Sequence, residues 1–287
     1  MINRGILTKI NSVQNTQKIT RVMQMVSVAK MRKTQEHMYM ARPYAEKVRT
    51  VMAHLALSHT DIALPLLKIH PTFSRVGIIL ITTDKGLCGG LNINLIKQLF
   101  HKVHECNASN IAVDVCCLGL KGLMACKKAK INVIASAVEL GDTPQMDLLI
   151  GPVTHMLQQY EKNELDAIYL LYSRFVNAIE QSPTLEQIIP LSRTYMKITQ
   201  GYNFDYLYEP DVFTVLQFLL RRYIESIIYQ AVAENMASEQ AARMVAMKAA
   251  TDNADEILKD LRLTYNKSRQ ASITTELSEI MAGAAAV

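Results

Sequence analysis

DVFTVLQFLLRRYIESIIYQAVAENMASEQAARMVAMKAATDNADEILKDLRLTYNKSRQASITTELSEIMAGAAAV, residues 211–287, is the stretch from which the fold can be read. Neither proline nor glycine occurs between Pro210 and Gly283, so nothing local interrupts a helix. At 1.5 Å per residue such a helix would extend for roughly 110 Å, longer than a compact domain. Its apolar residues begin at helical spacing with Leu216, Leu219, Leu220, Tyr223, Ile224 and Ile227. They thin into Ala237, Ala241, Ala242, Ala246, Ala249 and Ala250, then resume at Ile257, Leu258 and Leu261. Propensity alone does not hold so long a helix in order, so it requires a partner.

The N-terminal residues offer one. A second helix is predicted from about Asn3 to Leu57, with Ile6, Ile10, Val13, Ile19, Val22, Met23, Val26 and Ala29 as its apolar stripe. The stripe has the width of a coiled-coil seam, although its heptads are imperfect and Gln14–Gln17 is a polar interlude. Pro43 should kink or loosen this helix. Residues 1–49 carry ten Lys and Arg against Glu36 and Glu46, a net +8. The rest of the chain therefore carries −3 of the total +5. This basic stripe is a solvated face or a surface that meets an acidic partner, protein or nucleic acid.

Between the helices the pattern changes. Val76–Thr83 (VGIILITT) is a continuous β-rich apolar run, as a strand buried on both faces requires. Ile111–Leu118 and Ala167–Ser173 repeat it, and Ile131–Ala135 is a weaker candidate. Helical patterns alternate with them at Gly90–Glu105, Lys121–Lys128 and Gln145–Glu161, which predicts a mostly parallel, doubly wound sheet. The fold class is α/β: a long antiparallel two-helix coiled coil with an inserted Rossmann-like domain. Its expected divisions are 1–58, 75–191, a tyrosine-rich connector at 192–210, and 211–287. No run of 18 apolar residues is present to span a membrane. The odd cysteine count, with no CxxC, points to free thiols in a reducing compartment.

Catalytic patterns are scarce. The turn Thr82–Asn92 (TTDKGLCGGLN) lies where an α/β fold cradles phosphate, yet it matches neither the dinucleotide fingerprint nor a P-loop. Its glycines fit a crowded strand-to-helix turn, with Asp84 and Lys85 as turn start and ion pair. Cys88 lacks a His/Asn context and is expected to be a small buried residue. His101 and His104 are spaced i, i+3 without a carboxylate to complete a metal site. Asp255, Glu256 and Asp260 belong to a charged helix face. No cofactor is expected.

Five blocks carry a family resemblance. They are SVQNTQKITRVMQMV (12–26), TTDKGLCGGLNIN (82–94), DYLYEP (205–210), ASEQAARMVAMKAATDN (237–253) and NKSRQASITTELSEI (266–280). In order and from end to end, they resemble the γ subunits of bacterial F-type ATP synthases. The resemblance implies a left-handed coiled coil lying inside a ring of α and β subunits. It also implies a foot resting on the ε subunit and the membrane-embedded c-ring. The implied role is that of a non-catalytic rotary shaft, peripheral on the cytoplasmic side of a bacterial inner membrane.

Residue by residue, the resemblance implies β-subunit contacts at Met23 in the neck of the coiled coil and at Glu239 and Arg243 on the facing long helix. Arg269, Gln270, Thr274 and Glu276 resemble the family's catch for a β-subunit loop. Tyr206, Tyr208 and Glu209 resemble the foot that meets ε and the c-ring. Residues 23–30 read MQMVSVAK where relatives commonly read MEMVAASK, so the neck has Gln24 in place of an acid and gains bulk at Val28. The alternative is a basic coiled-coil protein that binds nucleic acid, although its helix has little aromatic interleaving beyond Tyr39 and Tyr44. A third class, a nucleotide-dependent enzyme, would need a ligand at Gly86–Gly90.

Overall fold

The computed structural model describes residues 2–58, 73–141, 143, 146–190, 209 and 211–285. Helix α1 spans Ile2–Ser58 and runs through Pro43 without a break in its helical assignment. Then follow β1 (Arg75–Ile81), α2 (Leu91–Ala108), β2 (Ala112–Leu118), α3 (Leu120–Lys128), β3 (Asn132–Ala137) and α4 (Met146–Glu161). Strands β4 (Ala167–Phe175) and β5 (Gln181–Ile189) and the 74-residue helix α5 (Val212–Ala285) complete the chain. The chain divides into two compact units, Met1–Val28 with Arg243–Val287, and Ala29–Ala242. Helices α1 and α5 each supply residues to both.

Unit Ala29–Ala242 is built on a five-stranded sheet in the order β3-β2-β1-β4-β5. Strands β1 to β4 are parallel and β5 is antiparallel at the edge. Alternation along the strands sorts the two faces. Val76, Ile78, Leu80, Val115, Cys117 and Leu171 pack with Leu95 and Leu99 of α2 and Cys126 of α3. Ile79, Ile81, Cys116, Leu118, Ile168 and Leu170 pack on the other face with α4, with Met52 of α1 and with Leu216 to Met236 of α5. The expected strands and helices are present, which makes this the doubly wound sheet read from the alternation. Strand β5 was not anticipated. Its sequence QSPTLEQII is half-buried for most of its length and contains Pro183, so it shows neither a continuous apolar run nor clean alternation.

Unit Met1–Val28 with Arg243–Val287 is a pair of antiparallel helical segments. Thr20 Oγ1 and Thr251 Oγ1 lie 2.8 Å apart in a buried hydrogen bond. One step toward the N-terminus of α1, Gln17 Nε2 donates to Asp255 Oδ1 of α5, a residue that Arg21 also approaches at 4.0 Å. Advancing along one helix thus means retreating along the other.

Covered positions on α1 follow a heptad through Ile6, Ile10, Val13, Gln17, Thr20, Gln24 and Ser27, in alternating steps of four and three, with Gln14 and Met23 half-buried beside it. On α5 the heptad runs through Met247, Thr251, Ala254, Leu258, Leu261, Tyr265 and Ser268, with the same alternation and with Ala250 and Asp255 half-buried beside it. This corrects the expected seam. Its first three members and the half-buried Met23 hold, but Ile19, Val22 and Val26 are exposed, at 59%, 58% and 48%, as is Ala29. The heptad is regular once small and polar residues are admitted, and between Ile19 and Val26 the branched apolar side chains of α1 face outward.

Candidate interaction surfaces of the helix pair

The outward face of α1 in the two-helix unit presents Ile19, Val22, Met25 and Val26 as one apolar strip, bordered by exposed Lys18 and Arg21. Large side chains outside and Thr20, Gln24 and Ser27 inside reverse the usual order. A strip of this kind marks a contact surface. Met23, predicted from sequence, lies beside it, half-buried, and its carbonyl accepts a 2.8 Å bond from Ser27 Oγ. Gln24 occupies the seam itself.

A second surface lies at the end of α5. Burial in the seam stops with the half-buried Ser268, and the helix continues to Ala285 with no buried position among the described residues. These 17 residues make an overhang of about 26 Å. Arg269, Gln270, Thr274 and Glu276 are all exposed on it, and Thr274 Oγ1 donates to the Gln270 carbonyl at 2.9 Å. Beside them Ile273, Leu277, Ile280 and Met281 form an exposed stripe at i, i+4, i+7 and i+8. Sequence reasoning missed this stripe, although its helical spacing was legible.

The other predicted residues differ in setting. Glu239 is half-buried within the unit Ala29–Ala242, whereas Arg243, in the two-helix unit, is 8% exposed. Glu209 is exposed just before α5, and Tyr206 and Tyr208 lie outside the described residues.

The glycine-rich turn uses its polar groups within the fold. Asp84 was expected to start a turn and pair with Lys85. Instead its two carboxylate oxygens accept the backbone N–H groups of Leu120 and Leu140, each at 2.9 Å, so it caps α3 and holds the segment after β3. Asn92 accepts from the Thr83 N–H at 3.2 Å and donates to Thr83 Oγ1 at 2.7 Å. Cys88 is buried against Leu91 and Ala242 of α5, its sulfur accepting from Asn92 at 3.2 Å. Leu87 and Gly89 both adopt positive φ, 63° and 58°, to fold this turn onto the long helix. The turn is therefore a strand-to-helix connection, the reading its glycines favoured.

All five cysteines are buried free thiols. Burial pushes the Cys116 thiol up to about 12, which keeps it protonated and unreactive. His101 does find a carboxylate, Glu105 Oε1 at 3.0 Å, one turn on. This is a solvent-facing pair, and among the described residues no group of three His, Cys, Asp or Glu could hold a metal. No helix among them is long and apolar enough to cross a membrane.

Paired terminal helices, with a doubly wound α/β fold between them in sequence and exposed strips on the helices, define a class: helical stalk subunits. The family described as ATP synthase matches residues 3–287. The ATP synthase gamma chain of Chromobacterium violaceum is 63% identical over 286 residues, covering 100% of this chain and 99% of that one. That of Neisseria meningitidis serogroup C, strain FAM18, is 59% identical over 289 residues with the same coverage. The fold resembles a chain of the Euglena gracilis mitochondrial ATP synthase rotor, with a TM-score of 0.66 at 19% identity, covering 95% of this chain and 99% of that chain. The chain belongs to the ATP synthase gamma chain family. These relationships give no support to the nucleic-acid-binding alternative.

Proposed function

We propose that this chain is the central shaft of a rotary ATP synthase, a non-catalytic subunit that turns with the c-ring and sets in sequence the state of each catalytic β subunit. The observation that carries this reading is the overhang of α5. A helix that leaves its seam at Ser268 and continues exposed, with an apolar stripe beside Arg269 and Gln270, has its partner in other chains. Three like sites can be driven apart by one asymmetric helix pair only through unequal contacts, because a partner shifts an equilibrium by its differential affinity.

In this reading the overhang residues Arg269, Gln270, Thr274 and Glu276 engage β. The apolar strip beside Met23 and the basic side chains around it meet the α/β ring lower down, through contacts weak enough to break at each step. Glu239 offers a partly open carboxylate. Arg243, largely covered by its own chain, meets β through the part of its side chain that stays exposed. Glu209, with Tyr206 and Tyr208, belongs to the foot that rests on ε and the c-ring, and the chain reaches the bacterial inner membrane only through that complex.

The test is reconstitution. The purified chain hydrolyses no ATP, and folded chain mixed with purified α and β subunits yields ATPase activity that the α and β subunits alone lack. Folded chain that produces no stimulation would sink the proposal. Arg269→Ala with Gln270→Ala lowers ATP-driven proton pumping in membranes without unfolding the α/β part; unchanged pumping removes the catch assignment.

A further inference from the structure

In the unit Ala29–Ala242, strand β4 outlasts its neighbour. Pairing with β1 ends at Leu171, while β4 continues to Phe175 beside β5. Ser173 stands opposite Pro183, a residue with no N–H to give. The Ser173 and Phe175 backbone groups facing away from β5 are two residues apart and need partners on the vacated side.

Side chains of the long helices supply them. The Ser173 N–H donates to Asn235 Oδ1 at 3.3 Å, and the Ser173 carbonyl accepts from Ser238 Oγ at 3.1 Å. The Phe175 carbonyl accepts from Arg42 Nη2 at 3.1 Å. Arg42 Nε is held in turn by Glu234 Oε1 at 3.0 Å, and Gln230 Nε2 donates to the same oxygen at 3.0 Å. Around this point the helix surface is pared down to Ala233, Ala237 and Ala241, packed with Met38 and Phe175, which lets short polar side chains of α5 reach a strand backbone. Asn235, Ser238 and Glu234 are all buried.

We propose that Arg42, Glu234, Asn235 and Ser238 form a clamp that fixes the angular register of the α/β sheet to the two long helices. This rests on the shaft reading above and says through which residues of this unit torque passes. Apolar contacts are non-directional and permit small slides, whereas hydrogen bonds and a buried ion pair have fixed geometry. Buried polar contacts of this kind add little net stability over apolar ones, and their best-attested use is to fix register. The four residues therefore act as positioning residues.

The experiment uses the assembled enzyme in membrane vesicles, with three variants: Asn235→Leu with Ser238→Ala, Ser238→Ala alone, and Ser238→Thr. Three quantities are read: ATP hydrolysis, protons pumped per ATP, and the angular fluctuation of a probe on the α/β domain of single immobilised complexes. The double variant keeps hydrolysis near wild type, loses pumping per ATP by about five-fold and widens the fluctuation. Ser238→Ala gives an intermediate change, and Ser238→Thr, which keeps the hydroxyl, restores wild-type values. Unchanged fluctuation in both the double variant and Ser238→Ala overturns the clamp. So does a parallel fall of hydrolysis and pumping in Ser238→Ala that Ser238→Thr does not reverse. Failure of the wild-type chain to stimulate or couple the complex counts instead against the shaft reading.

Discussion

The same two helices live in two chemical settings. Between Arg42 and Met52, α1 meets a sheet face built of Ile79, Ile81, Leu118, Ile168, Leu170 and Tyr172, and α5 answers with Leu216, Leu220, Ile224, Ile227 and Val232. Between Ile6 and Ser27, α1 pairs with α5 in a mixed seam, where Ile10, Met247, Ala254 and Leu258 are interleaved with Thr on Thr, Gln beside Asp, and Ser. One setting is organised by apolar burial and the other by a narrow seam in which polar pairs take turns with apolar ones while Ile19, Val22 and Val26 stay outside. A helix pair with a large inward apolar face would be more stable alone, but it would have less to offer a surrounding partner. The difference separates the part that holds the fold from the part that does the contacting.

The largest expected effects fall in the first setting. Ile79→Ala, at a fully buried position in the central strand, should cost about 2–5 kcal/mol in denaturant unfolding, by lost burial plus the cavity left behind. Gly119→Ala should be comparably damaging for another reason. Its φ is +109°, and an added Cβ would stand 2.3 Å from the Thr82 carbonyl oxygen, where backbone must move. If either variant unfolds at wild-type denaturant concentration, burial is not what holds this unit.

A middle-sized effect of opposite sign is expected in the second setting. Thr20→Val combined with Thr251→Val replaces both partners of a buried hydroxyl pair with apolar groups of the same shape. Such replacement is neutral to stabilising, about 1 kcal/mol here. Hydrogen exchange of the amides flanking both positions should slow. Faster exchange in the double variant would mean that the polar seam contributes stability, and the contrast between the settings would narrow.

These two settings also explain what the sequence revealed. Val76–Ile81 and its parallel partners were legible because strands buried on both faces need unbroken apolar runs, and the lengths of α1 and α5 were legible because nothing interrupts them. The seam of α1 after Val13 was legible only at Met23, because along that stretch the usual rule that apolar means inward fails. Ile19, Val22 and Val26 keep helical spacing and point the wrong way for a seam; Thr20, Gln24 and Ser27 keep the heptad and are not apolar. Strand β5 escaped because an edge strand carrying Pro183 gives neither of the strand signatures. Asp84 and Asn92 were visible as residues, but their partners at Leu120, Leu140 and Thr83 are set by the fold. Of the candidate contact residues, the blocks around Met23 and Arg269 drew attention, whereas the stripe from Ile273 to Met281 emerged only when its neighbours proved to be solvent.

That inversion predicts a near-silent stability change with a binding phenotype. Ile19→Ser, Val22→Ser and Val26→Ser, each on an exposed position, should alter unfolding by no more than about 0.5 kcal/mol. Together they should weaken recovery of ATPase activity when the chain is titrated into α and β subunits, measured as the concentration giving half-maximal stimulation. If the triple variant loses stability as Ile79→Ala does, the strip is core and the assignment of settings is reversed.

The smallest effect lies at the first turn of α5, where the chain enters its long helix from Glu209. Asp211 accepts the Thr214 N–H at 2.9 Å with one oxygen and the Thr214 hydroxyl at 2.7 Å with the other. This satisfies an amide that the helix cannot, and places a negative charge at the positive end of the helix. These bonds hold its carboxyl below the ordinary carboxylate value. A carboxyl lowered in the folded chain stabilises it above the unfolded value, and that contribution disappears as pH falls through the folded one. Protection of the Thr214 amide, corrected for intrinsic exchange, should therefore be steady from neutral pH to about pH 5 and fall as the solution is acidified further. Asp211→Asn keeps an acceptor and should flatten this pH dependence, while Asp211→Ala should lose protection at every pH. Because Leu216 and Leu220 anchor the next turns in the core, the loss should stop within about one turn. Fraying that runs past Leu220 would mean that the cap, and not burial, secures α5 where it joins the sheet.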